Sequence, residues 1–134
     1  MKRKAFITIK GTQHYGADKE KIIKRYIGFF EESEDCLTLS YKEQNPSSDV
    51  KLRAYKNGKR TELINGGSCL ISENGKRNIC EYKTEYGNFL LGISGKASRL
   101  ELKDNAGSIF FSYSIDTNGS LASENEVLAE FKLT

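Results

Sequence analysis

The chain has 134 residues, of which 37% are hydrophobic and 29% are charged. This length fits a single domain over residues 1–134, and a domain of this size buries about two thirds of its unfolded surface. The composition and a mean hydropathy of -0.57 exclude a disordered chain and a helical membrane span. The net charge is only +3, so any attraction for nucleic acid has to come from local clustering of cations. Neither nucleic acid nor a membrane is expected as a partner.

Strand-sized runs of alternating apolar and polar residues fill the first part of the chain. Residues 4–12 and 35–42 alternate with a period of two, which is the period of a half-buried strand. Residues 21–31 lie between them and carry apolar side chains on both faces, with Gly28 inside the run. A glycine within a strand marks a bulge, a bend or a close backbone approach. A turn is predicted at residues 45–48, which include the single proline.

The second part of the chain contains strong hairpin signals. Asn57-Gly58 and Asn74-Gly75 are each flanked by alternating runs, and an Asn-Gly pair favours the tight turn of an antiparallel hairpin. Helical segments are limited to one or two turns around residues 16–21 or 120–124. Further strands are predicted at residues 50–55, 59–64, 69–72, 78–84, 88–94, 108–115 and 126–133.

These elements make about nine or ten strands joined by short loops, so strands that are neighbours in sequence should pair. The right-handed twist curls a sheet of this length, and closure removes its exposed edges. We therefore predict an all-β fold, a single antiparallel up-and-down meander that forms a closed barrel of about 8–10 strands. A two-sheet sandwich is the alternative, but no loop obviously supplies the long crossover connection that it needs.

Several segments of the chain also share an order and a spacing with a known group of proteins. They are Phe6–Gln13, the step from Gly28–Phe30 into Leu39–Glu43, Cys80–Gly87, and Phe111–Ile115 with Ser123–Glu126. On these segments the chain resembles the YwiB-like bacterial family, from about Lys4 to Leu133. The resemblance implies a calycin-type barrel, similar to lipocalins and fatty-acid-binding proteins. The family has no assigned activity, so no functional residue is carried over with the name.

Residues that carry catalytic chemistry are scarce. His14 is the only histidine and lies in a loop region beside Tyr15, with no second histidine or cysteine pair to complete a metal site. No Gly-x-Ser-x-Gly elbow or phosphate-binding glycine loop is present in the sequence. We therefore expect no enzyme activity, no metal and no cofactor.

The cysteines and the basic start of the chain bear on its compartment. Cys36, Cys69 and Cys80 make an odd count without paired spacing, which fits core thiols in a reducing compartment. Residues 1–4 are as basic as the start of a signal peptide, but the apolar run at residues 5–9 is short and contains a threonine. We interpret that run as the first strand and expect a cytoplasmic protein.

Cations gather around two of the predicted hairpins. Lys51–Arg60 contains five Lys or Arg residues, and Lys76–Arg77 follows on the next hairpin. Two adjacent hairpins of this kind form a positive patch that meets phosphates, so a protein- or nucleic-acid-interaction module is the alternative function. Exposed hairpins also carry lysine to stay soluble, and the neighbouring Glu62, Glu73 and Glu81 favour this plainer interpretation.

The barrel interior is the leading candidate site. Arg25 shares a face with Ile27 and Phe29, and an inward cation in a lipid-binding barrel meets a carboxylate head group. A bulge at Gly28, or a protein carboxylate that pairs with the cation, is the structural alternative. We expect an uncharacterised lipocalin-like barrel that binds a small apolar or amphipathic ligand. The candidate interior residues, equally suited to a packed core, are Arg25, Ile27, Phe29, Leu39, Tyr41, Phe89, Leu91, Phe111 and Tyr113.

Overall fold

The computed structural model describes residues 2–44 and 47–134 and contains only strands, turns and bends within them. The turn predicted at residues 45–48 lies partly outside the described residues. Within these ranges the chain forms no helix with the length and hydropathy needed to span a bilayer. The ten strands are β1 (Lys2–Tyr15), β2 (Asp18–Glu32), β3 (Cys36–Glu43), β4 (Ser48–Tyr55), β5 (Arg60–Asn65), β6 (Ser68–Glu73), β7 (Arg77–Thr84), β8 (Gly87–Leu102), β9 (Ala106–Thr117) and β10 (Ser120–Leu133).

All ten strands belong to one antiparallel sheet, in the order β6-β5-β4-β3-β2-β1-β10-β9-β8-β7. Apart from β6 and β7, strands that follow one another in sequence pair with each other among the described residues. The first and last strands also pair, from Ala5 with Leu133 to His14 with Glu124. The sheet therefore curls into a nearly closed barrel. This confirms the predicted antiparallel meander and the barrel class.

The barrel is incomplete at the seam between β6 and β7, the two ends of the strand order. Among the described residues this seam has no backbone ladder. Side chains bridge it instead: the Ile71 amide donates to Cys80 Sγ at 3.4 Å, and the Lys83 amide donates to Ser68 Oγ at 3.1 Å. Hydrogen bonds from backbone amides to side chains thus join β6 and β7, whereas the other neighbouring strands of the sheet share backbone ladders.

The strands differ in length, and this difference gives the barrel a long and a short wall. Strands β8, β9, β10, β1 and β2 have 12 to 16 residues, whereas β3 to β7 have 6 to 8. The two walls meet at β7 and β8 and at β2 and β3. Among the described residues, β2 and β3 pair only over Phe29–Glu32 of β2. A Cβ built at Gly28 would overlap the carbonyl oxygen of Ser40, so only glycine allows this close approach. Of the three roles expected for Gly28, the structure shows the close backbone approach.

The interior is filled by apolar side chains from all around the barrel. Two stacked aromatic pairs span different strands, Tyr26 with Tyr41 at 4.3 Å between ring centroids and Phe30 with Phe131 at 5.0 Å. This packing is what a small barrel needs in order to exclude water from its axis. The buried apolar residues include Ala5, Ile7, Leu37, Leu39, Val50, Leu52, Ile93, Ile109, Phe111, Tyr113 and Ala129.

Strand β2 faces the opposite way from the expectation. Gly28 and Phe30 are buried, whereas Ile27 is 65% and Phe29 is 49% exposed, and Arg25 is exposed on the same outer face. The placement of Arg25, Ile27 and Phe29 in the barrel interior is therefore wrong. The reason is that both faces of this strand are apolar, and the close approach at Gly28 decides which of them turns inward.

Candidate functional site

A groove opens where β2 leaves β3, because the two strands diverge beyond Gly28. Its cavity volume is about 690 Å³, within the range of small-molecule sites. We call this feature the β2–β3 groove. It is lined by Lys2, Arg25, Tyr26, Ile27, Gly28, Phe29, Ser40, Tyr41, Lys42, Gln44, Asp49, Val50 and Lys51.

The inner side of the groove is formed by the stacked rings of Tyr26 and Tyr41. The Tyr26 hydroxyl donates a hydrogen bond to Glu43 Oε1, and Lys24 Nζ lies 3.7 Å from Glu43 Oε2. Burial, together with the nearby Glu43 carboxylate, raises the pKa of Tyr41 to about 12. Burial and the hydrogen bond to Glu43 also raise the pKa of Tyr26. Both phenols are therefore neutral at physiological pH, and the groove has an aromatic, uncharged floor.

The outer lips of the groove combine apolar and cationic side chains. Ile27 and Phe29 are exposed, although both are large hydrophobic residues. Four cations and one carboxylate, Asp49, share the lining, so the rim is positive. None of these cations lies within ion-pair distance of a carboxylate of the described residues. The cations are Lys2, Arg25, Lys42 and Lys51.

The predicted interior residues fall into separate groups. Leu39, Phe111 and Tyr113 are buried core residues. Leu91 is partly buried beside a small cavity of about 120 Å³ near the seam. Phe89 lies on the same face of β8 as Leu91 but is 52% exposed, because the ladder between β8 and β9 begins at Gly92. The predicted placement of Phe89 in the barrel interior is therefore wrong. The remaining four, Arg25, Ile27, Phe29 and Tyr41, are brought together in the β2–β3 groove.

Other groove residues were missed by the sequence analysis. Lys42 and Tyr26 were noted only as members of alternating strands, and Glu43, which holds the Tyr26 hydroxyl, was not considered. Tyr26 lies two residues before Gly28, on the same face of β2. A large side chain two residues before a glycine within a strand is a sequence signal that could have identified Tyr26 as a candidate.

The basic hairpins present fewer free cations than their sequence suggests. Arg53 and Arg60 both reach Glu62, at 3.0 and 2.7 Å, and Arg60 also reaches Glu73 at 3.0 Å. Glu62 is buried, so it holds the partly exposed Arg53 and Arg60 side chains against the barrel wall. The alternative function through these hairpins stays a prediction. Three further cations of the region are paired as well: Lys56 with Glu32, Lys76 with Glu73 and Arg77 with Asp116.

The other candidate residues from the sequence lie apart from one another. His14 is on β1, opposite Glu124 of β10 and Lys19 of β2. The three cysteines are free thiols, of which Cys80 is buried and Cys69 is exposed. Burial also raises the pKa of the Cys69 thiol, which disfavours the nucleophilic thiolate. Among the described residues, no three His, Cys, Asp or Glu side chains gather in a way that could hold a metal ion.

Fold and groove together define a small antiparallel β-barrel with a positively rimmed apolar groove on its wall. The chain belongs to the family described as "Domain of unknown function (DUF1934)", whose model matches residues 7–128. The crystal structure of the ywiB protein from Bacillus subtilis is similar, with a TM-score of 0.87 over 99% of this chain and 93% of that chain. The two sequences are 17% identical, so this likeness shows the fold alone. The predicted YwiB-like family is confirmed, and no curated protein matches the chain.

Proposed function

We propose that the protein is a non-enzymatic binding barrel that holds an anionic amphipathic ligand in the β2–β3 groove. The observation that supports this most is the combination of exposed Ile27 and Phe29 with a rim of unpaired cations around one cavity of about 690 Å³. Large exposed apolar side chains cost solubility, and clusters of them rimmed by polar groups are typical of binding sites.

The cavity beside the seam offers less room for a ligand. It is lined by Leu63, Leu70, Cys80, Leu91 and Ile93 and has a volume of about 120 Å³, and the stacked rings of Phe30 and Phe131 are buried in the core. Ligand sites for small molecules usually have volumes of about 300–1,000 Å³. The proposed ligand is therefore of the class expected from the sequence, but its site is on the wall of the barrel.

Each part of the groove contributes one kind of contact to such a ligand. An apolar chain would cover Ile27 and Phe29 and lie over the neutral rings of Tyr26 and Tyr41. Each methylene that becomes buried contributes about 0.8 kcal/mol. An anionic head group would meet Arg25, whose guanidinium donates to a carboxylate in a bidentate manner.

A pair of surfactants with the same chain and opposite charge tests this proposal. We expect isothermal titration calorimetry, below the micelle concentration, to show binding of dodecanoate and none of dodecyltrimethylammonium. Decanoate should bind roughly tenfold more weakly than dodecanoate, because two fewer methylenes are buried. Equal binding of the anion and the cation would overturn the proposal.

Charge reversal on the groove provides the site-specific control. Arg25→Glu should abolish the preference for dodecanoate, whereas Lys103→Glu, an exposed position in the β8–β9 connection, should leave it unchanged. If both variants lose affinity to the same extent, the attraction comes from the overall charge and the groove is not the site.

We also propose a cytoplasmic location, which the three free thiols support because reducing compartments keep cysteines unpaired. Fractionation of the native host with an antibody to the protein tests this. Recovery of the protein with the cytoplasmic fraction is expected, and recovery with secreted material would contradict it.

A further inference from the structure

The edge of β2 that faces the groove lacks a neighbouring strand over most of its length. On one side, β2 pairs with β1 all the way from Asp18 to Glu31. On the other side, its ladder with β3 covers only Phe29–Glu32 among the described residues. Residues 18–28 therefore present an open backbone edge of eleven residues, about 36 Å long at the usual rise of a strand.

This open edge has only part of the usual protection against pairing. Proteins shield long edges with bulges, prolines, short strands, a covering loop or charged side chains, and residues 18–28 carry only the charges. The ladder with β1 runs without a register shift, and Ile22, Ile23 and Ile27 are 46%, 57% and 65% exposed. A long edge with exposed apolar side chains between its charges is a template for another strand of complementary charge.

The charges beside the edge indicate what kind of strand fits. Lys19, Lys21 and Arg25 lie on the open part of β2, and Lys42 and Lys51 lie across the groove. None of these five is in an ion pair with a described residue. The nearby carboxylates are fewer: Asp18 and Glu20 on β2 itself, with Asp49 in the groove. The net charge around the edge is therefore positive, which complements acidic side chains.

We propose that the groove ligand is an extended peptide segment of a partner protein, in which acidic residues alternate with apolar ones, and that it adds to the open edge of β2 as a further strand. This rests on the proposed function, because the peptide uses the same groove. Main-chain hydrogen bonds to residues 20–28 supply affinity, and the alternate side chains supply specificity. Successive side chains of a strand point to opposite faces, so the carboxylates lie on the outer face beside Lys21, Arg25 and Lys42. The apolar side chains lie on the other face, over Ile22 and Tyr26.

An extended peptide matches the site better than a single fatty chain does. A chain of twelve carbons spans less than half of the open edge and offers no amide groups to it. The unpaired amide and carbonyl groups of β2 would then stay bonded to water alone. A peptide strand satisfies these backbone groups and places apolar side chains over Ile22 at the same time.

Capped synthetic peptides of about nine residues test the inference by calorimetry. A peptide of alternating valine and glutamate should bind, and one of alternating valine and lysine should not, because the lysines oppose the cations of the edge. Two N-methylated forms of the first peptide, methylated at its odd or its even positions, separate strand addition from contact through side chains alone. Strand addition predicts that at least one form binds tenfold or more weakly, since its donors toward β2 are blocked.

Hydrogen exchange locates the peptide on the protein. Amides within residues 20–28 should become protected by the valine–glutamate peptide, while those of β7 should not change. Arg25→Glu should weaken this peptide at least tenfold, and Lys103→Glu should not. Retention of full affinity by both N-methylated forms would overturn strand addition.

The surfactant and peptide experiments separate the two proposals. If dodecanoate binds the groove but the valine–glutamate peptide does not, the peptide inference fails and the proposed function stands. If neither binds, both fail. If the peptide binds and protects β2, both are supported, and a groove substitution that weakens dodecanoate and peptide together shows that they share the site.

Discussion

At the scale of single residues, Gly28 determines where β2 and β3 separate in the barrel wall. From the sequence, a bulge, a bend or a close backbone approach was expected there, and the structure shows the close approach. The sequence did not identify the partner, the carbonyl oxygen of Ser40, since that contact depends on the register between β2 and β3.

Replacing Gly28 with alanine should therefore destabilise the fold. The added Cβ would overlap the Ser40 carbonyl oxygen, and overpacking of this kind costs about 1–3 kcal/mol. Gly11→Ala is the matched control, because nothing lies within 4 Å of a Cβ at Gly11. Urea unfolding should show the loss for Gly28→Ala only. Equal stability of the two variants would contradict the contact.

Arg77 and Asp116 form a second local arrangement that depends on a glycine. Arg77 on β7 reaches across Gly92 of β8 to Asp116 on β9, with Nε–Oδ2 at 2.9 Å and Nη2–Oδ1 at 2.6 Å. The guanidinium hydrogen bonds, and a further one from the Gly119 amide, hold the pKa of the Asp116 carboxyl below its usual range. The folded state therefore binds this proton less readily than the unfolded state does.

This difference has a defined pH dependence. Because the folded pKa is lowered, the stabilisation is fully present above the unfolded pKa of about 3.9 and is lost as pH falls through the folded value. Asp116→Asn should thus destabilise the protein at pH 7 and make much less difference near pH 2.5. Unfolding in urea at both pH values measures this, with Asp104→Asn, an exposed position, as control. An unchanged difference between wild type and Asp116→Asn at the two pH values would show that the proton linkage is absent.

At the scale of elements, β2 shows what alternation can and cannot predict. Clean alternation in β3 correctly places Leu39 and Tyr41 inside, because only one face of that strand is apolar. Strand β2 has apolar residues on both faces, so the period of two leaves its orientation open. Arg25, Ile27, Phe29 and Tyr41 of the groove were all candidate site residues from the sequence. The sequence analysis placed the first three in the interior, but they lie on the outer face of the barrel.

The junction between β2 and β3 should depend on the hydrogen bond from Tyr26 to Glu43. Tyr26→Phe keeps the stacked ring but removes the donor, which should cost about 1 kcal/mol in the free energy of unfolding. Tyr86→Phe, at a residue 86% exposed, is the control and should be neutral. A neutral Tyr26→Phe variant would show that stacking alone holds the junction.

At the scale of the whole molecule, local signals were sufficient for the barrel. Turn residues such as Asn57-Gly58 and Asn74-Gly75 divide the chain into strands, and short connections leave the meander as the simplest arrangement. The volume of the interior and the incomplete seam between β6 and β7 were not predictable. Both depend on strand lengths and side-chain sizes around the complete circle, which no single segment contains.

The seam has a consequence for how the barrel folds. In the sheet order β7 and β6 are the two ends, so a chain that began at β7, continued from β10 into β1 and ended at β6 would pair only sequential neighbours. The native chain must instead bring its first and last strands together, and such long-range pairing slows folding. Opening the chain at Gly75 and joining Thr134, whose amide donates to the Lys4 carbonyl oxygen, to Lys2 through a short flexible linker creates this order.

We expect this circular permutant to refold faster than the native chain in stopped-flow experiments, because its mean contact separation is lower. A permutant opened at Asn118 is the matched control. It carries the same linker but makes β9 and β10 the distant pair, so its folding rate should stay close to the native rate. Equal rates for the two permutants would contradict the expectation. The boundary between β6 and β7, which has no backbone ladder among the described residues, is thus the place at which a chain could begin and still pair only sequential neighbours.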